Sequence, residues 1–497
     1  MRHLFSSSLP KISTTGQTSR QEGGFIVEMQ NEKEYISLLV ARSRKAQNEA
    51  FSYSQERVDE LAVAITYSLS RRKIAEEVAA LALEETQMGT YEAKVEKFTG
   101  KLPMIWQDIK NVPTVGVMER VPEQGLIKLA KPVGVIAALI PSTTAEATPP
   151  FNGILGIRGR NSVIFAPHPR SKKTTALVVE KMREVLKLND APEDLMICID
   201  RPSKSIANEL MKACDITFAT GSKDMVQAAY SSGKPAYGVG VGNAVVVIDG
   251  TCDLAETAEK IRTSKTNDNA AGCSAENSLL IQEKVYDAFI QELRKQGAKV
   301  LSVEEKARLQ STMWMGGHIN PEIVARPVEK IADLANITLD EGTKFFIVEE
   351  TGYGPNFPFS GEKLSITLTV YRYGDFQEAI DLVNNILDYS GAGHSCGIHS
   401  NDEDCIMKLA LNTQTTKVIV RQPHRSANSG NWFNGLAKTF SLGCGTWGGN
   451  IVSENITQKH FINTTWVSEP IGPLGYKPYT EDQIFGDIVK RVKILDA

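Results

Sequence analysis

One cysteine stands in surroundings that suit a nucleophile: Lys265-Thr-Asn-Asp-Asn-Ala-Ala-Gly-Cys273-Ser-Ala-Glu-Asn-Ser-Leu-Leu-Ile281. A thiolate attacking a carbonyl carbon needs open approach and a backbone N–H aimed at the oxygen that turns negative. The small residues flanking Cys273 supply both. The competing reading is a tight helix-to-strand connection whose cysteine only packs, as most free cysteines do. The seven cysteines are odd in number and scattered, with no C-x-x-C pair. That pattern disfavours a disulfide framework and a structural zinc, and a reducing cytoplasm fits it. His394-Ser-Cys396-Gly-Ile-His399 has the residue types of a metal site but no second ligand group, so no metal is expected.

The elements around this segment alternate. Residues 31–97 carry apolar side chains at helical spacing among Glu, Arg and Lys. Val133–Ile140, Ser162–Ala166, Leu195–Ile199 and Ile216–Ala219 are short apolar runs that predict strands. Helices are predicted between and after them at about 172–186, 204–214 and 225–230. A second series starts at Ala244–Ile248, with helices at 254–266 and 284–296 and a strand over Ser365–Tyr371. Such alternation implies an α/β fold with parallel, doubly wound sheets, and two α/β domains with the chemistry between them.

Composition bounds the partners. The 497 residues are 42% hydrophobic and carry 55 basic against 59 acidic side chains, a formal charge of -4. Bulk binding of nucleic acid or an anionic membrane would need a basic surface. No run approaches the roughly 18 apolar residues of a membrane-spanning helix. Residues 1–28 are rich in Ser, Thr and Gly and lack the apolar core of a secretory signal. They are expected to be a disordered or non-native extension, with a transit peptide or an encapsulation tail as alternatives.

Four segments in register resemble the aldehyde dehydrogenase superfamily, in the form of its CoA-acylating branch. They are the Cys273 segment, Ser231–Asn243 with its glycines, Glu362-Lys-Leu-Ser365, and Leu442-Gly-Cys-Gly-Thr-Trp-Gly-Gly-Asn450. With Lys131–Thr174, the likeness runs from about residue 35 to 470. It implies an aldehyde dehydrogenase-like fold: a Rossmann-type cofactor domain over 29–243, a catalytic domain over 244–435, and a segment 436–497 that returns to the cofactor domain. It also implies a homodimer or homotetramer built through a hairpin near 115–131 and a strand near 461–467. An exposed hairpin edge invites such pairing.

The resemblance carries roles residue by residue. Cys273 would trap the aldehyde and pass its acyl group to coenzyme A. Hydrolytic relatives carry a water-activating glutamate at the place taken here by Val239; without that base, the more nucleophilic thiol of CoA becomes the acceptor. Thr143 or Thr144 stands where an oxyanion-binding asparagine is usual, and capping of the next helix is the alternative. His394 would contact CoA or help deprotonate it, unless it is only structural. Thr220, Gly221 and Ser222 match the loop under the cofactor pyrophosphate, a place where helix-start N–H groups hold phosphate. Gly240 and Glu362 would complete the cofactor site.

His168, Arg170 and Lys172 replace a typical lysine and a ribose-binding glutamate. That exchange tilts the cofactor toward NADP, although some acylating relatives with Pro-His-Pro-Arg use NAD. Arg421, His424, Arg425 and Asn428 lie where the family's substrate loop falls. They suit an anionic aldehyde, and Asn428-Ser-Gly-Asn-Trp432 resembles acylating sulfoacetaldehyde dehydrogenases. Acetaldehyde or propionaldehyde, a hydrolytic enzyme, and a silent scaffold relative are the alternatives.

Overall fold

The computed structural model describes residues 31–493 and 495, so the segment 1–28 lies outside the described residues. Glu32–Ala50, Gln55–Leu69, Arg72–Thr86 and Tyr91–Glu96 are the helices of the N-terminal stretch. The first two start where the side chains of Asn31 and Ser54 accept the N–H groups of Lys33 and Arg57, satisfying donors that a helix start leaves open. Val58, Leu61, Ala62 and Ile65 form a buried stripe at helical spacing.

Five parallel strands form the first sheet, in the order Met196–Cys198, Ser162–Pro167, Val135–Ile140, Ile216–Thr220, Ala236–Val239. The two strands Val135–Ile140 and Ser162–Pro167 are buried along their whole length, which explains their unbroken apolar runs. The chain starts in the middle, runs to one edge and then to the other. Strand order therefore reverses between Val135–Ile140 and Ile216–Thr220. Open parallel sheets bind ligands outside the carboxyl ends of their strands at such a reversal.

Seven parallel strands form the second sheet, in the order Ala298–Val300, Phe345–Glu349, Thr367–Tyr373, Glu276–Gln282, Ala244–Ile248, Cys396–His399, Val418–Val420. The strand expected over 365–371 starts two residues late, because Glu362–Ile366 turns past the end of the sheet. Antiparallel pairing builds a third sheet from Gly116–Val121, Leu126–Pro132 and Ile462–Ser468. Gly125 makes the turn between its first two strands at φ 60°, a conformation that favours glycine. Side chains along Ile462–Ser468 are exposed after its first residue. No helix among the described residues is long and apolar enough to cross a membrane.

The returning chain is fixed to the first sheet. Phe461 stacks on Phe218, and Asn161 donates to the Phe461 carbonyl at 2.8 Å while accepting from Val133 and Gly134.

Candidate active site

A cavity of about 710 Å³ lies between the carboxyl ends of the first sheet and the amino ends of the second. Ser142–Thr144, Pro167–Pro169 and Thr220–Ser222 line it from the first sheet. Gly240, Val241, Gly272–Ser274, Glu362 and Arg425 line it from the other side.

Backbone strain sets the nucleophile loop. After the helix Leu254–Thr266, three consecutive non-glycine residues take left-handed φ: Asp268 54°, Asn269 48° and Ala270 58°. Each such residue costs of order 1–3 kcal/mol and persists only where its surroundings hold it. Here Asp268 is paired with Lys97 at 2.7 Å and accepts the Thr90 N–H at 2.9 Å, while Asn269 donates to the Gly89 carbonyl at 3.0 Å. The run Asn267-Asp268-Asn269 was the available sequence signal, since Asn and Asp tolerate this region best.

Cys273 follows on the cavity wall. A Cβ on Gly242 would lie 2.2 Å from the Cys273 carbonyl oxygen and 2.8 Å from its Cβ, so only glycine lets the two loops approach. His394 Nε2 sits 3.3 Å from Cys273 Sγ, and its Nδ1 is 2.8 Å from Ser395 Oγ. Burial pushes the Cys273 thiol up to about 12, with Glu362 and Cys444 adding to it. The sulfur is therefore a thiol near neutral pH and needs a base. Burial, with Lys417 and His424 nearby, holds His394 well below the usual range and hence neutral, the state in which imidazole accepts a proton. Glu362 accepts the Gly242 N–H at 3.1 Å, and burial raises its carboxyl to about 8.

The remaining expected residues divide sharply. Thr143, Thr144, His168, Thr220, Gly221, Ser222, Gly240, Glu362 and Arg425 all line the cavity. Thr144 Oγ1 is 2.8 Å from Thr148 Oγ1, and neither threonine caps the helix Thr148–Arg158. Ser222 caps Lys223–Tyr230. Arg170 and Lys172 are exposed beside the cavity mouth and do not line it.

Four positions depart from expectation. Val239 packs in the apolar core, and Gly240 and Val241 face the cavity instead, because the strand Ala236–Val239 ends only at Val239. Arg421 is exposed and donates to the Ser400 carbonyl at 2.7 Å, away from the cavity. His424 is buried between the Ser274 and Cys396 carbonyls, at 2.8 and 3.2 Å. Asn428 is buried as well, with its amide on Ser395 and Ser274. Chain order alone could not separate Arg425 from these neighbours, because the short helix His424–Asn428 turns successive side chains to different sides.

Sequence patterns missed the buried cations. Lys97 lines the cavity and pairs with Glu146 at 2.6 Å and Asp268 at 2.7 Å; Lys94 lies 3.5 Å from Glu146. Arg425 reaches Asp268 at 3.6 Å, and its buried Nε has no partner. Lys101 also lines the cavity, donating to Ser429, and burial with Lys438 and Arg425 pushes it down to about 7. Lys94, Lys97 and Lys101 sit at helical spacing, and nothing in their local sequence marks them out. Among the described residues, no group of three or more His, Cys, Asp or Glu is gathered for a metal.

The nucleophile, the imidazole on its sulfur and the loops at the strand reversal define an oxidoreductase of the aldehyde dehydrogenase type. The model of the aldehyde dehydrogenase family matches residues 23–354, and the chain belongs to that family. A sulfoacetaldehyde dehydrogenase of Acholeplasma sp is 42% identical over 459 residues, covering 91% of this chain and 94% of that one. An acylating sulfoacetaldehyde dehydrogenase of Bilophila wadsworthia is 39% identical, covering 92% and 99%. The crystal structure of an acetylating aldehyde dehydrogenase from Geobacillus thermoglucosidasius superposes with a TM-score of 0.87 at 34% identity, covering 90% and 98%. These likenesses set the chain in the CoA-acylating branch of the family.

Proposed function

We propose that the protein oxidises a short anionic aldehyde, sulfoacetaldehyde, to its CoA thioester through an acyl group on Cys273, reversibly and with NAD(P). The observation that carries this reading is His394 Nε2 against Cys273 Sγ, at the point where an incoming thiol would need a base. Glu362, the carboxyl nearest Cys273 on that wall, is tied to Gly242 and protonated below about 8. A thioester formed there waits for a thiol.

His394 takes the Cys273 proton as sulfur attacks the aldehyde carbon, and the Cys273 N–H and Thr143 face the developing oxyanion. The nicotinamide, when bound, supplies the hydride acceptor. His394 gives the Cys273 proton up to solvent once the thioester has formed, the one proton the overall reaction releases. It then takes the proton of the CoA thiol as its sulfur attacks the Cys273 thioester, and returns it to the departing Cys273 sulfur. The residues present fit a dinucleotide: the cavity reaches the strand reversal of the first sheet, with Thr220–Ser222 at a helix start and Glu362 opposite. Arg170 and Lys172 near the mouth favour NADP over NAD.

The anionic end falls to Arg425, Lys97 and Lys101. Three cations, Lys94, Lys97 and Arg425, face two carboxylates, Glu146 and Asp268, which leaves this ion-pair cluster with one positive charge. This assignment replaces Arg421, His424 and Asn428. The relatives' names support it. Residues 29–243 would form the cofactor domain and 244–435 the catalytic domain. The exposed strand Ile462–Ser468 supports assembly into a dimer or tetramer, and seven free cysteines support a reducing compartment such as the cytoplasm.

The test is reduced-cofactor formation from sulfoacetaldehyde and from acetaldehyde, with each nicotinamide, with and without CoA. Steady turnover is expected only with CoA, and kcat/KM for sulfoacetaldehyde should exceed that for acetaldehyde by about tenfold or more. Rapid release of free acid without CoA would end the proposal.

A further inference from the structure

Lys417 is a buried cation that the catalytic cycle has not used. It lies just before the strand Val418–Val420 and is 9% exposed. Its Nζ donates to two neutral oxygens, Thr416 Oγ1 and the Gly443 carbonyl, each at 3.0 Å. Among the described residues no carboxylate pairs with it. Glu454 acts on it from farther off and is itself held by Lys459 at 2.6 Å and His460 at 3.3 Å. Taking an ammonium out of water is costly unless a negative charge answers it. A cation fixed in this way suits a negative charge that forms only during the reaction.

The contacts around Lys417 lead to the nucleophile. Thr416 Oγ1, which receives the ammonium, donates to the His394 carbonyl at 2.9 Å. Gly443, which also receives it, precedes Cys444, and only glycine at position 393 lets the Cys444 carbonyl come so close. His394 Nε2 in turn sits 3.3 Å from Cys273 Sγ. Lys417 is therefore tied by short bonds to the loops that carry His394 and Cys444, and its charge acts on Cys273, Cys444 and His394.

We infer that Lys417 is a positioning residue for charge, its ammonium the fixed counter-charge of the negative sulfur that Cys273 becomes. This rests on the function proposed above.

The sign follows from treating Cys273 and His394 as a pair. When the pair loses a proton to solvent, it passes from neutral to one negative charge, wherever the proton stood before it left. A nearby cation favours that product. It also disfavours a ring that gains an extra proton beside an unreactive thiol. Negative sulfur arises twice in a turnover, as Cys273 attacks the aldehyde and as it leaves the thioester. Burial lowers Lys417 to about 8, with Cys444, Cys273 and Glu454 drawing it back up. Its charge, and the help it gives, is thus present below about pH 8 and fades above it.

The experiment reads Cys273 without any substrate. Iodoacetamide alkylation of Cys273 in the free enzyme, located by peptide mass, is followed from about pH 6.5 to 10 in the wild type and two variants. Lys417→Met fills the space with neither charge nor donor, while Lys417→Gln keeps an N–H donor and drops the charge. Glu362, Cys444, Ser274 and His394 face the sulfur and are the same in all three. Both variants should alkylate about tenfold more slowly than the wild type near pH 7. The gap should close to about twofold or less by pH 10, where Lys417 of the wild type has lost its own charge. Equal rates near pH 7 overturn the inference. A gap that stays constant across the range overturns it as well, because a displaced loop would slow the reaction at every pH. So does a Lys417→Gln variant that matches the wild type while Lys417→Met is slow, since hydrogen bonds would then account for the effect. If one variant does not fold, the other carries the test. Since alkylation needs neither aldehyde nor CoA, a wild-type enzyme that makes no acyl-CoA would defeat the proposed function separately.

Discussion

The two parallel sheets meet the same cavity with opposite ends, and they bring different things to it. The first sheet presents the carboxyl ends of its strands, where Ser142–Thr144, Pro167–Pro169 and Thr220–Ser222 form loops ahead of helices. Loops of this kind offer backbone N–H groups, which hold phosphate with little need for particular side chains. The second sheet presents the amino ends. Asn243, Ser274, Ser395 and Lys417 each lie just before one of its strands, and Cys273 and His394 adjoin them. Chemistry that moves protons and acyl groups needs side chains held to within a fraction of an ångström. The second side is accordingly dense with buried hydrogen bonds and short approaches, while the first is comparatively open.

Gly242→Ala would break the second side most directly. The added Cβ meets Cys273 backbone oxygen at 2.2 Å, which no side-chain rotation relieves. Either the loop before Ala244–Ile248 or the Cys273 loop must move by about an ångström. Displacements of that size at a reacting centre lower rates by about a hundredfold. The first sheet is not touched and only the Gly242 N–H that holds Glu362 is disturbed, so binding of reduced cofactor, followed by its fluorescence, should weaken by no more than about tenfold. Equal losses in both measurements would mean that the two sides do not act independently.

The same contrast explains what the sequence made legible. Strands and helices of the first sheet follow from apolar runs and periodicity, and its loops fall where βαβ connections must turn. Cys273 and Glu362 were found because their local segments are distinctive. His424 and Asn428 were placed on the substrate because four polar residues along one stretch look alike in one dimension. His424 and Asn428 are drawn behind the cavity wall by packing against Ser274, Ser395 and Cys396, 28 to 154 residues away in the chain, while Arg421 turns to the Ser400 carbonyl and Arg425 is left on the cavity. Lys97 and Lys101 were invisible for a related reason. Nothing within the helical stretch 31–97 and its continuation shows that Asp268 and Ser429 will close over those ammonium groups.

Lys101, carried by the N-terminal helices and held against Ser429, offers a sharper test. Burial and two neighbouring cations lower it to about 7, so it is charged below that pH and neutral above it. Its pull on an anionic aldehyde is present on the acid side and lost as pH rises through the folded value. KM for sulfoacetaldehyde should therefore climb roughly tenfold from about pH 6.5 to 8.5, while KM for acetaldehyde stays level. Lys101→Met should hold KM for the anionic substrate high at both ends of that range. Parallel pH profiles for the two aldehydes would move the anion site away from Lys101 and leave Arg425 as its principal charge.

The smallest effect belongs to the open side. Arg170 and Lys172 are exposed beside the cavity mouth, at the start of the helix Lys172–Leu188, where Glu85 already accepts the N–H groups of Lys173 and Thr174. A carboxylate at that helix start takes up the N–H groups a phosphate would otherwise use, so discrimination must come from the side chains. Exposed charge pairs contribute about 0.2–1 kcal/mol, because solvent screens them and long side chains lose freedom on pairing. Arg170→Ala should consequently lower the NADP-to-NAD ratio of kcat/KM by only about twofold to fivefold, with kcat for each cofactor preserved. A collapse of kcat would show that Arg170 reaches the reacting end of the cavity, which its place beside His168 at the far rim does not allow.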